Sequence, residues 1–200
     1  MTLISENKDN KIMMFIDLRN VENSVKTVEG QVFMLDYKAL AMTLAGTREL
    51  VAAYVFDSMK IVESEDKRKR FHDKLRHIGF RVMARDAYDS VRNEQKEVDV
   101  AMACEMVVHA LRDHYDVAVV VSGDRDFIPA IQHVQAAGKR VEVAAFEKSV
   151  AKEVIRSADK FYELEKLPLL SMSNPADKEE MPEEEIEPGK EEENGPEEGA

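Results

Sequence analysis

The 200-residue sequence predicts an α/β fold: one three-layer domain with a central, mostly parallel sheet flanked by helices. Three observations predict it. Val119-Val120-Val121 is a β-branched run that suits a strand buried on both faces, as in a parallel sheet. Short apolar runs of this kind alternate with stretches of helical spacing along the chain. The connections between them are too short for any other arrangement than a doubly wound sheet covered on both sides.

Each element follows from its residues. Ile12-Met13-Met14-Phe15-Ile16, ended by Asp17, is the first strand. Residues 33–45 carry Leu35, Ala39, Leu40 and Leu44 at helical spacing and stop at Gly46. Residues 50–56 form a second buried strand closed by Asp57. Residues 64–77 form a charged amphipathic helix with Phe71, Leu75 and Ile78 on one side, stopped by Gly79, and residues 80–84 a third strand. Residues 97–114 are helical and apolar nearly all round, and 117–121 form the β-branched strand. Gly123 permits a sharp exit, and Pro129, tolerated in a helix's first turn, sets a helix over 127–137. Residues 141–146 form a fifth strand and 149–157 a last helix.

Charge is unevenly distributed. The formal net charge is −12, but residues 177–200 hold twelve acids against two lysines. The low pI therefore describes the tail, and the rest of the chain is close to neutral. From residue 174 onward, with four prolines and few large apolar residues, the tail cannot offset its ordering entropy. We expect residues 1–10 as a flexible N-terminus, 11–168 as the domain and 169–200 as a disordered acidic tail. Cys104, the only cysteine, excludes an intramolecular disulfide and reads as a small core residue within the apolar run 100–111. No apolar stretch approaches the roughly 20 residues that span a bilayer, and residues 1–11 have no signal-peptide apolar region. A cytoplasmic protein without a membrane partner is expected.

The candidate chemistry lies at strand ends. Parallel strands place their carboxyl ends on one edge, where open α/β sheets bind ligands. Asp17 and Asp124 both end strands there, and Asp126 follows either as a third acid or as a helix N-cap. Asp99 falls in the first turn of its helix, on a stripe with Ala103, Met106 and Ala110. Converging carboxylates repel and raise one another's pKa unless a cation joins them. Hard oxygen donors suit Mg²⁺ or Mn²⁺, which activate water against phosphodiesters.

Phe15-Ile16-Asp17-Leu18-Arg19-Asn20-Val21, Lys96-Glu97-Val98-Asp99 and Ser122-Gly123-Asp124-Arg125-Asp126-Phe127 together resemble the NYN domain family, which includes LabA-like members and belongs to the PIN-like nuclease superfamily. The segments 138–143 and 155–161 are similar to that family's closing strand and terminal segment. The resemblance spans roughly residues 11–165, with its motifs in order. It implies a PIN-like fold and a metal-dependent ribonuclease. Asp17, Asp99, Asp124 and Asp126 are then the metal-binding and catalytic acids, with Asp126 as ligand or water orienter. Asn20 becomes a site-orienting amide, and Lys96 and Ser122 further site residues. Where many relatives carry small residues, this chain has Leu18 and Arg19, which either narrow the pocket or let Arg19 contact a phosphate.

Arg19, Arg85, Arg92, Lys96 and Arg125 fall on the expected rim, as RNA phosphate contacts or as ordinary ion-paired residues. Tyr88 is placed to stack on a base. The run Lys67-Arg68-Lys69-Arg70 shares its helix with Glu65, Asp66 and Asp73 and reads as a salt-bridged exposed face. His109 and His114, five residues apart, are expected on different helix faces. The leading functional expectation is hydrolysis of single-stranded or structured RNA with Mg²⁺ or Mn²⁺; the alternative is a non-catalytic RNA-binding or regulatory module. A phosphatase of the haloacid dehalogenase type needs an acid two residues after its nucleophile, where this chain has Arg19. A phospho-accepting receiver would use Asp57 and want a paired acid beside Asp17. The acidic tail is read as solubilising, or as a competitor of RNA for the rim. Sheet edges and methionine-rich segments make a homodimer a further expectation.

Overall fold

The computed structural model describes residues 11–27, 33–58, 65–85, 94–168 and 170–172. Its order is β1 (Lys11–Asp17), α1 (Leu18–Thr27), β2 (Phe33–Leu35), α2 (Tyr37–Ala45), β3 (Glu49–Ser58), α3 (Glu65–His77), β4 (Arg81–Arg85), α4 (Glu94–Leu111), β5 (Val117–Val121), α5 (Ile128–Ala136), β6 (Arg140–Ala145), α6 (Lys152–Ser157), β7 (Lys160–Glu163) and β8 (Leu170–Met172). A 3₁₀ turn, Arg125–Phe127, precedes α5. The main sheet has the order β4-β3-β1-β5-β6-β7 and every pairing in it is parallel. The chain leaves β1 toward one side of the sheet and β5 toward the other, so the switch point lies between these two central strands.

Alternation along the strands sorts side chains to the two faces. Ile12, Met14 and Ile16 pack with Val117, Val119 and Val121 under α1, α2 and α3. Met13 and Phe15 pack with Ala118 and Val120 under α4 and α5. Both faces are covered, which is why the central strands read as unbroken apolar runs. Among the described residues no helix is long and apolar enough to cross a membrane.

Several elements depart from the sequence expectation. The expected helix over 33–45 splits: Phe33–Leu35 pairs antiparallel with β8, and the helix begins at Tyr37, where Asp36 accepts the Ala39 N–H at 2.9 Å. A short apolar triplet has no period of its own, so it joined the neighbouring helix pattern. α1 was not expected, although Leu18, Val21 and Val25 lie at helical spacing and all three are buried. β7 adds a sixth strand where only a terminal segment was expected. β8 continues past the expected domain boundary at 168. Cys104 is exposed rather than in the core, because α4 buries Val98, Met102, Met106 and Ala110 instead.

The buried charge of β6 is paired. Glu142 of β6 accepts both Nη groups of Arg48 at 2.9 and 3.0 Å and the Tyr162 hydroxyl at 3.0 Å. His109 and His114, expected apart, meet with their Nδ1 atoms 2.7 Å apart, because His114 lies beyond the end of α4 where the chain turns back.

Candidate active site

Asp17 is the last residue of β1 and is buried at the switch point. Its Oδ1 accepts the Asn20 backbone N–H at 3.1 Å, starting α1, and its Oδ2 accepts the Ser122 hydroxyl at 3.1 Å. Ser122 Oγ in turn accepts the Asp124 N–H at 3.2 Å, and Asn20 Oδ1 accepts the Gly123 N–H at 3.0 Å. The turns after β1 and β5 are therefore joined by two hydrogen bonds, Ser122 to Asp17 and Gly123 to Asn20. Gly123 is required here: a Cβ would come within 2.9 Å of the Ser149 carbonyl oxygen and the Val150 Cα, both backbone atoms. Ser149 closes the same corner, sharing a 2.8 Å hydrogen bond with Ser24 of α1.

The capping residue of the turn after β5 is Asp124, which accepts the Asp126 N–H at 2.9 Å. The cap expected at Asp126 thus falls two residues earlier, because the chain enters a 3₁₀ turn before α5 begins. Asp126 is exposed, as is Arg125 beside it. Asp99, on the second turn of α4, is half-buried. Burial, followed by the negative charges of Asp17, Asp124 and Asp126, pushes its carboxyl up to about 7. Burial likewise raises Asp17 to about 6; hydrogen bonds from Asn20 and Ser122 oppose this, and the charges of Asp124 and Asp57 add to it. The four expected acids thus share one electrostatic environment. Lys96 lies in the first turn of α4, but its side chain, that of Arg85, and residues Tyr88 and Arg92 lie outside the described residues.

Arg19 does not reach the rim. It is only 6% exposed; its Nε donates to the Ser58 carbonyl at 2.7 Å and lies 3.2 Å from Asp57 Oδ1. Asp57, at the end of β3, is fully buried and is the centre of a cluster that sequence reasoning missed. Arg68 grips it through Nε and Nη2 at 2.6 and 2.7 Å, and His72 Nε2 lies 2.6 Å from Oδ2. Arg68 also pairs with Glu22 of α1 at 2.7 Å. Arg68 and His72 are i,i+4 neighbours on α3, a spacing that was the available signal. The basic run 67–70 is therefore not wholly a surface face, since Arg68 turns inward while Lys67 and Arg70 stay exposed.

The acids supply hard oxygen donors, the type that Mg²⁺ and Mn²⁺ accept. Among the described residues, however, no three Asp, Glu, His or Cys side chains are gathered closely enough to hold a metal ion on their own. That spacing fits an ion bound directly by one or two carboxylates, with water and substrate oxygens completing its shell, as Mg²⁺ prefers.

An open parallel sheet with acids grouped over its switch point defines a Rossmann-like α/β domain. Within that class the chain belongs to the NYN domain family, whose model matches residues 11–165. This is a nuclease-type family of the PIN-like superfamily, whose nucleases generally depend on a divalent metal. The chain is 27% identical over 121 residues to Low amplitude and bright protein LabA of Synechococcus elongatus. That match covers 58% of this chain and 63% of the relative, so the chain spans less than two thirds of the relative's length. Its fold is similar to that of a protein of unknown function from Vibrio parahaemolyticus, with a TM-score of 0.68 and 24% identity over 84% of this chain and 100% of the other.

Proposed function

We propose that the protein is a metal-dependent ribonuclease that hydrolyses RNA phosphodiester bonds at the β1/β5 switch point. The observation that carries this reading is the grouping of four acids at this edge: burial, then the charges of Asp17, Asp124 and Asp126, raises Asp99, and burial, with the charge of Asp124 adding to it, raises Asp17. Asp17, Asp99 and Asp124 hold the ion, directly or through water, and Asp126 is a ligand or orients water. A bound Mg²⁺ or Mn²⁺ supplies charge stabilisation at the scissile phosphate and a more acidic water. Asn20 and Ser122 keep Asp17 and the 122–124 turn in register. Exposed Arg125 is a phosphate contact, and Lys96 a second one; Arg19 has no part in substrate binding, being committed to Asp57 and Ser58.

A second reading, a non-catalytic RNA-binding or regulatory module, draws on the spacing of the acids, which as they stand hold no ready-made metal group among the described residues. Incubating labelled single-stranded and structured RNA with Mn²⁺, Mg²⁺ or EDTA separates the two. Metal-dependent cleavage lost in Asp17→Asn and Asp124→Asn supports the nuclease. Cleavage that persists equally in both variants defeats the site assignment, and RNA binding without cleavage in any metal favours the module.

A further inference from the structure

The outer face of α4 carries an apolar stripe that nothing among the described residues covers. Val100 is 61% exposed, Leu111 71% and Val108 38%, with Cys104 exposed between them. A surface helix ordinarily presents polar residues on this side. The stripe has a symmetry of its own. Val100 and Val108 stand four residues before and after Cys104, and Glu97 and Leu111 stand seven before and after it. The two ends carry opposite charge: exposed Glu97 at one, and exposed Arg112, directly after the helix, at the other.

We propose that two copies of the chain associate through antiparallel packing of α4 on α4 about a two-fold axis at Cys104. In that arrangement Val100 of each copy meets Val108 of the other, and Cys104 faces its counterpart. Glu97 reaches the Leu111–Arg112 end of the second helix, so both ends of the contact pair an acid with a base. A two-fold contact requires a self-complementary surface, and this spacing satisfies that requirement. The dipoles of the two helices also oppose in this packing, which favours it. The excess negative charge of each chain works against association, so it is strengthened by salt that screens this repulsion. The inference is independent of the nuclease reading, although the contact brings one copy's helix end toward the turn of the other that carries Asp99.

Sedimentation of the full chain in about 0.3 M salt, where the Debye length is short, provides the test. A species of twice 22.7 kDa is expected, together with its loss in Val108→Glu and Leu111→Glu variants that keep the parent circular dichroism. Glu97→Arg weakens the dimer, and adding Arg112→Glu to it restores the mass. A short bismaleimide joins two chains through Cys104 in the parent and not in Val108→Glu. A parent that remains monomeric at about 100 μM, well within the range of weak specific contacts, overturns the proposal. A dimer that survives both glutamate substitutions overturns it equally.

Discussion

Asn20 Oδ1 accepts the backbone N–H of Gly123 at 3.0 Å, joining two turns that lie 103 residues apart in the chain. β1 and β5 pair directly as far as Ile16 and Val121, and the contact ties together the two turns that follow, which carry Asp17 and Asp124. Gly123 has no space for a side chain, because the 149–150 backbone stands 2.9 Å from where a Cβ would lie, closer than van der Waals contact allows.

Gly123→Ala is accordingly expected to cost about 1–3 kcal/mol of stability, since neither the Ser149 carbonyl nor the Val150 Cα moves as a side chain does. Urea unfolding measures it. A midpoint equal to the parent's would mean the 149–150 segment yields freely.

Ser122→Ala removes the hydroxyl that donates to Asp17 and accepts from the Asp124 N–H. Loss of such an orienting partner typically costs 10–100-fold in metal affinity or activity, and about that loss is expected here. Mn²⁺ titration of the folded variant provides a readout independent of cleavage.

Asp57 gives stability a defined acid limb. Burial alone would raise its carboxyl, but hydrogen bonds from His72 and Arg68 and the charges of Arg68 and Arg19 hold it down to about 2, against 3.8 ordinarily. The folded state therefore binds fewer protons than the unfolded one in that interval. The stabilisation is complete above about pH 4 and is lost as pH falls through about 2, a difference of about 2–3 kcal/mol. Asp57→Asn leaves Arg68 and Arg19 facing an uncharged group and should cost about 3–5 kcal/mol at pH 7. Its stability between pH 4 and 2 should be flatter than the parent's in chemical denaturation.

Asp17 and Asp99 act in the opposite sense. Their carboxyls are raised to about 6 and about 7, so the metal-free folded state binds more protons than the unfolded one above pH 4. Their contribution is complete below pH 4 and is lost as pH rises through 6 to 7. Asp99→Asn is expected to stabilise the metal-free protein at pH 8 by about 1 kcal/mol, after allowing for screening of a half-exposed group. The same variant should lose the stabilisation that added Mn²⁺ gives the parent. Thermal unfolding at pH 5 and pH 8, with Mn²⁺ and with EDTA, checks both statements.

The strands of the sheet were legible because burial on both faces demands apolar runs such as 12–16 and 117–121, and these need no partner to be recognised. The resemblance to NYN domains rests on equally local signals, Asp17-x-x-Asn20 and Ser122-Gly123-Asp124. The local rule also explains the misses. β2 is too short to show a period, and Asp124 took the capping role because the chain adopts a 3₁₀ turn before its α-helix.

What residue types and spacing determined by themselves was an alternation of parallel strands and helices, with acids at the strands' carboxyl ends. Tertiary structure decided the partner of each charged or polar group. It turned Arg19 and Arg68 inward to Asp57, joined Asn20 to Gly123, set Asp99 within the field of three other acids, and left Cys104 on the surface. Periodicity reports how deeply a position is buried relative to its near neighbours. The choice of an ionic or hydrogen-bonding partner across tens of residues depends on which elements pack together; a local pattern such as the Arg68 and His72 spacing marks side chains that share a helix face without naming their partner.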